Sequence, residues 1–135
     1  MEKFNLKNDI KVFGLHVQSF PNGIDKAFDE LIKKIGDSAG NRNYYGISEF
    51  KNGKMYYYAA AEEKQDGEAE KFNYESYTIK GGEYFTETLK NWRAQTNCIK
   101  DIFSEMMQDN RVDKMKPCVE WYKNDEEMLC MVKAI

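Results

Sequence analysis

The order of hydrophobic and polar positions divides the chain into strand-like and helix-like stretches. Residues 9–17 are rich in β-favouring side chains and run into Pro21-Asn22-Gly23, which predicts a strand followed by a break. Ile24, Ala27, Phe28, Leu31, Ile32 and Ile35 then recur at helical spacing as one apolar stripe, with Asn22 as the expected N-cap and Gly36 placed to end the helix. Residues 44–50 and 55–61 flank Asn52-Gly53, a pair that supplies the positive φ angles of a tight hairpin turn. The charged stretch 62–71 offers little core material and predicts a solvated connection.

The same order of elements then returns. A strand is expected over 72–79 and a break at Gly81-Gly82. A longer helix is marked by Leu89, Trp92, Thr96, Ile99, Ile102, Phe103 and Met106, beginning between Thr86 and Asn91. Residues 117–122 and 128–135 flank Lys123-Asn124-Asp125-Glu126, which predicts a second hairpin. The expectation is a single α+β domain over 1–135, with two βαββ units at about 9–62 and 72–135 in pseudo-twofold arrangement. Two helices would pack on one face of an antiparallel sheet, with a ligand cleft between the units. Several tyrosines alternate away from the helices, and rings with hydroxyls to satisfy suit such a cleft.

Composition narrows the partners. The 135 residues are 41% apolar and 14% aromatic, enough for one core, and the net charge of -3 gives no basic excess for nucleic acid. No apolar run approaches the roughly 20 residues that cross a bilayer, so the chain is expected to be cytoplasmic. Cys98, Cys118 and Cys130 lack metal-ligand spacing, and His16, the sole histidine, sits in an apolar strand segment where structural burial is expected; no metal or cofactor is anticipated.

Glu120 is the sharpest chemical signal. Alternation places Cys118, Glu120 and Tyr122 on one face of their strand and Val119 and Trp121 on the other, so a carboxylate stands mid-strand beside a phenol. On a solvent-facing strand this is ordinary; enclosed by tyrosines, an unpaired carboxylate costs several kcal/mol or takes up a proton. A bound cation relieves either penalty, and each aromatic face attracts it by about 0.5–2 kcal/mol. Tyr56, Tyr57 and Tyr58 are consecutive, so both faces of the first hairpin carry a ring.

Four segments, Tyr45-Gly46-Ile47, Tyr58-Ala59-Ala60, Ile79-Lys80-Gly81-Gly82-Glu83-Tyr84 and Pro117-Cys118-Val119-Glu120-Trp121-Tyr122, resemble in order and spacing the GyrI-like, AraC-type bacterial effector-binding domains. The chain departs from that pattern at Phe85–Trp92, where the family usually turns through small residues into its second helix. The resemblance implies an aromatic cleft between the two units with Glu120 as its central polar group and Tyr122 as the usual aromatic. On that basis the expected activity is binding of a small apolar, cationic molecule, with Tyr45, Tyr58, Trp92 and Tyr122 as walls. No segment is left for a DNA-binding helix-turn-helix, so any regulatory role would run through a protein partner in trans. Two alternatives stand beside this reading. One is a hydrolase of strained-ring alkylating natural products using Glu120 as acid or base; the other is a gyrase-inhibitor-like interaction factor acting through the acidic 62–70 stretch.

Overall fold

The computed structural model describes residues 1–18 and 22–135, so Pro21 in the expected break lies outside the described residues. Eight strands form one antiparallel sheet: β1 (Glu2–Leu6), β2 (Ile10–His16), β3 (Tyr44–Lys51), β4 (Lys54–Glu62), β5 (Glu75–Ile79), β6 (Gly82–Lys90), β7 (Cys118–Tyr122) and β8 (Glu127–Lys133). Among the described residues three α-helices join them: α1 (Ile24–Ile35), α2 (Glu68–Phe72) and α3 (Ile99–Met106). The spatial order is β1-β6-β8-β7-β3-β4-β2-β5. This order reads symmetrically about the central β7–β3 pair: β2–α1–β3–β4 is matched by β6–α3–β7–β8, and the outer strands β5 and β1 flank β2 and β6. The α+β architecture with helices on one face is therefore the observed one.

Local chemistry explains most of the elements. Asn52 and Gly53 take φ of 51° and 78°, closing the β3–β4 hairpin in the primed geometry that matches strand twist. Asn124 Oδ1 accepts the amides of Glu126 and Glu127, both at 2.8 Å, and so shapes the β7–β8 turn. Helix α1 buries Ala27, Leu31 and Ile35 against Phe13, Ala59 and Ala61, while Ile32 at the edge of the stripe is 43% exposed. Each fully buried aliphatic side chain contributes roughly 1.5–3 kcal/mol. Gly36 is the C-cap as expected, but the N-cap position is taken by Gly23 in the left-handed region rather than by Asn22, with no side-chain cap.

Two expectations are corrected. The stretch from Gly82 to Lys90 is a strand, paired on one side with β1 and on the other with β8, so the second helix does not begin between Thr86 and Asn91. Trp92–Ala94 and Thr96–Cys98 are 3₁₀ turns, and the α-helix is confined to Ile99–Met106. β1 pairs with residues 82–86 and β8 with 84–90, which ties the backbone of this segment into the sheet, and Leu89 serves a period of two with Phe85 as well as the helical stripe that continues to Trp92. The expected strand near 72–79 forms over Glu75–Ile79 but pairs with β2.

The charged connection 62–71 is also more than a solvated loop. It contains α2, whose Glu68 and Ala69 are buried. Arg42 meets Glu68 through two hydrogen bonds of 3.1 and 3.0 Å, donates to the Glu62 carbonyl and lies over the Phe13 ring. Backbone amides of Lys64 and Gln65 complete the Glu68 carboxylate. A charge run can thus enter the core where a partner cation and backbone donors answer its carboxylate.

The sheet has a core on each face. On the helix face, α1 covers β2 and β4, and α3 covers β6 and β8. On the other face Val12, Tyr45, Ile47, Ile79, Tyr84 and Val119 are buried with no helix above them. Phe4 of β1 and Trp121 of β7 stack at 6.2 Å although their strands are three apart in the sheet, about 14 Å if it were flat. The sheet therefore curls until the side chains of this face cover one another.

Candidate ligand-binding site

Glu120 stands at the symmetric centre of the sheet, directly opposite Gly46 of β3 and Cys130 of β8. Strand alternation puts it on the helix face, at the seam where the α1 half meets the α3 half. It is 8% exposed. Tyr57 of β4 donates its hydroxyl to Glu120 Oε1 at 2.6 Å, and the Tyr122 hydroxyl donates to the same oxygen. The two hydroxyls are themselves 3.4 Å apart. No described residue donates to Oε2, and Glu120 has no ion-pair partner among the described residues.

Gly46 makes this convergence possible. A Cβ at that position would run into the Tyr57 hydroxyl and Glu120 Oε1, so only glycine lets the phenol cross β3 to reach the acid. Above the cluster, Phe28 of α1 packs edge-on against Tyr122 at 5.4 Å, and Trp92 of the first 3₁₀ turn lies 4.8 Å from the same ring. Each half of the molecule thus contributes one aromatic to the roof. Trp92 is fixed by its Nε1 donating to the Asn124 carbonyl at 2.8 Å and by Arg93 over its ring; Arg93 in turn pairs with Asp125.

Electrostatics follow from burial. Loss of water pushes the Glu120 carboxyl above its ordinary value, only partly opposed by the two phenol donors. Tyr57 and Tyr122 are pushed well above the usual phenol value, first by burial and then by the neighbouring carboxylate. Burial and Glu120 together push the thiols of Cys118 and Cys130 up to about 12, so both stay protonated and neither is an activated nucleophile. Among the described residues no group of three metal-ligating side chains comes together. Among the described residues no helix is long and apolar enough to cross a membrane.

Of the residues singled out from sequence, Glu120, Tyr122 and Trp92 come together. Tyr45 and Tyr58 do not join them. Tyr45 pairs with Trp121 in register and Tyr58 with Ile47, which places both rings on the opposite face; Tyr45 stacks on Trp121 at 6.3 Å and Tyr58 on Tyr77 at 6.1 Å. The tyrosines turned away from the helices therefore form the second core, while the acid is enclosed beneath the helices. His16 is half-buried on that second face, between Tyr56 and Tyr58 at 5.2 and 5.3 Å. Tyr57 and Phe28 belong to the site although the sequence marked Phe28 only as part of the helical stripe and Tyr57 only as one of three consecutive rings. The hairpin register already fixes Tyr57 opposite Ser48, on the face of Gly46, but only the β3–β7 pairing reveals that this is also the face of Glu120.

No protein-family model and no curated protein sequence matches the chain. Solved structures do match in fold. An integron cassette protein, VCH_CASS2, from the mobile metagenome of Vibrio cholerae superposes with a TM-score of 0.72 at 12% identity, covering 99% of this chain and 95% of that one. The structure of SAV2435 bound to tetraphenylphosphonium gives 0.72 at 15% identity, covering 100% and 94%. A structure described as a hydrolase from Listeria innocua gives 0.55 at 11% identity, covering 97% and 89%.

Proposed function

We propose that this chain is a small-molecule binding domain of the GyrI-like effector-binding type, and that its guest is apolar and cationic. One observation carries the reading: a carboxylate buried at the seam of two halves, held by two phenol hydroxyls on one oxygen and matched by no cation among the described residues. Hydroxyl donors soften the cost of burying that charge but do not cancel it. A cation entering beneath Phe28 and Trp92 would meet the carboxylate from above and the faces of Tyr122 and Trp92 from the sides. The fold likeness to SAV2435, whose structure holds tetraphenylphosphonium, supports this class of guest.

Trp92 is the natural reporter because its indole packs on Tyr122. Titration with tetraphenylphosphonium, followed by tryptophan fluorescence, is expected to saturate for the wild type and to weaken at least about tenfold in Glu120→Gln, a cost of about 1.4 kcal/mol. Triphenylphosphine oxide, a neutral relative, should bind poorly to both. Equal affinity of the two proteins for the cation would remove Glu120 as counter-charge.

A second reading rests on the upward push of the Glu120 carboxyl together with the hydrolase among the fold matches. A protonated, buried acid can give its proton to the leaving atom of a strained ring while water adds to the carbon released, and the proton that water loses restores the acid. Product beyond one equivalent from an epoxide or cyclopropane electrophile, lost in Glu120→Gln, would select this reading over binding.

A further inference from the structure

The helix-free face contains a cavity of about 110 Å³ that is remote from Glu120 in chemistry and on the other side of the sheet. Its floor is the cross-strand pair Gly14 and Ala60. Gly14 carries no side chain because the Ala59 carbonyl lies where its Cβ would be, and Ala60 carries only a methyl, so the side-chain cover is shallow along this row. The same row continues outward from Gly14 to Glu75 on the edge strand β5. Tyr58 and Tyr77, stacked at 6.1 Å, form the wall, and Lys51 reaches the rim.

Charge decides what this cavity favours. Lys51 is already answered by Glu49 at 3.3 Å and lies near the Tyr56 ring. Glu75 is exposed and has no ion pair or side-chain hydrogen bond among the described residues. The unanswered charge at the mouth is therefore negative, and it stands beside two aromatic rings. In size the cavity is somewhat smaller than the 150 Å³ engineered void that accepts benzene, which suits one ring partly inserted and excludes a bulky polyaromatic cation.

We propose that the Gly14–Ala60 gap is a second ligand site, which takes a single-ring aryl-alkyl ammonium with its ring against Tyr58 and Tyr77 and its ammonium toward Glu75. The site is independent of the Glu120 cluster. The two differ in the size of guest they admit and in the acid that answers it.

The test is an amide chemical-shift titration with phenethylammonium on the full chain. Saturating shifts are expected at Gly14, Ala60, Ser76 and Tyr77, and they should persist in Glu120→Gln. Glu75→Gln, a change at an exposed side chain, is expected to raise the dissociation constant at least threefold. Ala60→Leu should abolish the shifts, and its spectrum reports whether the fold is kept. Absence of shifts at the gap, or shifts confined to Trp92 and Tyr122 and lost in Glu120→Gln, overturns the proposal. Equal binding of benzyl alcohol overturns the assignment of Glu75 as its counter-charge.

Discussion

Two glutamates are buried to nearly the same degree, 7% exposed at Glu68 and 8% at Glu120, in opposite chemical company. Glu68 has Arg42 at 3.0 Å and two backbone amides, and its carboxyl is held down to about 2, chiefly by the hydrogen-bonded guanidinium. Glu120 has two phenols and, among the described residues, no cation, and burial pushes it up. The fold can therefore supply a guanidinium to an interior acid where one is needed for structure, as at the α2 clamp. At the seam of the two units it supplies only neutral donors. An interior carboxylate that is solvated but not neutralised is suited to an exchangeable positive partner, whereas a fully paired one is suited to staying closed.

The contrast is broken most severely by turning the first site into the second. Arg42→Met leaves Glu68 buried without its cation, and urea unfolding should show a loss of about 3–5 kcal/mol, the usual penalty for orphaning one member of a buried pair. A loss below about 1 kcal/mol would class the clamp with ordinary surface pairs. Acid exposes the same interaction without mutation. Because folding lowers the Glu68 value from 4.5 to about 2, its stabilisation is complete above about pH 4.5 and is lost as pH falls through about 2. Comparing wild type with Glu68→Gln across that window should reveal a difference of about 3 kcal/mol, present at pH 6 and absent near pH 2. The comparison cancels Asp9 and Asp109, whose carboxyls are also held down.

The two acids also differ in how far the sequence betrays them. Glu120 was legible because period two alone sets it beside Tyr122 and Cys118, and because a lone carboxylate in an apolar strand stands out. Both hairpins and α1 were legible for equally local reasons: Asn52-Gly53, the Asn124 turn and one unbroken apolar stripe. Glu68 was hidden among like charges, since its partner lies 26 residues away. Tyr57 was hidden in the same way, 63 residues from Glu120. The end of the β6 strand was misread because Leu89 falls at helical spacing with Trp92 and Thr96 as well as at a period of two within the strand, and the choice was made by the pairing of β6 with β1 and β8. The aromatic walls were misassigned for the same reason: alternation tells which residues share a face, but not which face the helices cover.

Gly46 tests whether the seam was built around Glu120. Adding one methyl there forces the Tyr57 hydroxyl off the carboxylate, and Gly46→Ala should cost about 1–3 kcal/mol in urea unfolding, as overpacking does elsewhere. It should also weaken tetraphenylphosphonium binding, because the carboxylate loses the donor that orients it. Retained stability together with retained binding would mean that Tyr57 is a bystander.

The finest distinction is the sign of the pH dependence at Glu120 itself. Its value is raised on folding, so above about pH 4.5 the unfolded chain sheds a proton that the folded chain still holds, and this group's contribution to stability falls as pH climbs. That slope is opposite to the one Glu68 imposes. Glu120→Gln keeps an oxygen to accept both phenols and removes the charge. The variant should match the wild type below about pH 4.5 and gain on it steadily as pH climbs to 8 without ligand. Tetraphenylphosphonium should reverse that order, because only the wild type offers it a carboxylate. A variant less stable than wild type at every pH, ligand absent, would show that the two hydroxyls already compensate the charge in full, and the seam would then have no need of a cationic guest.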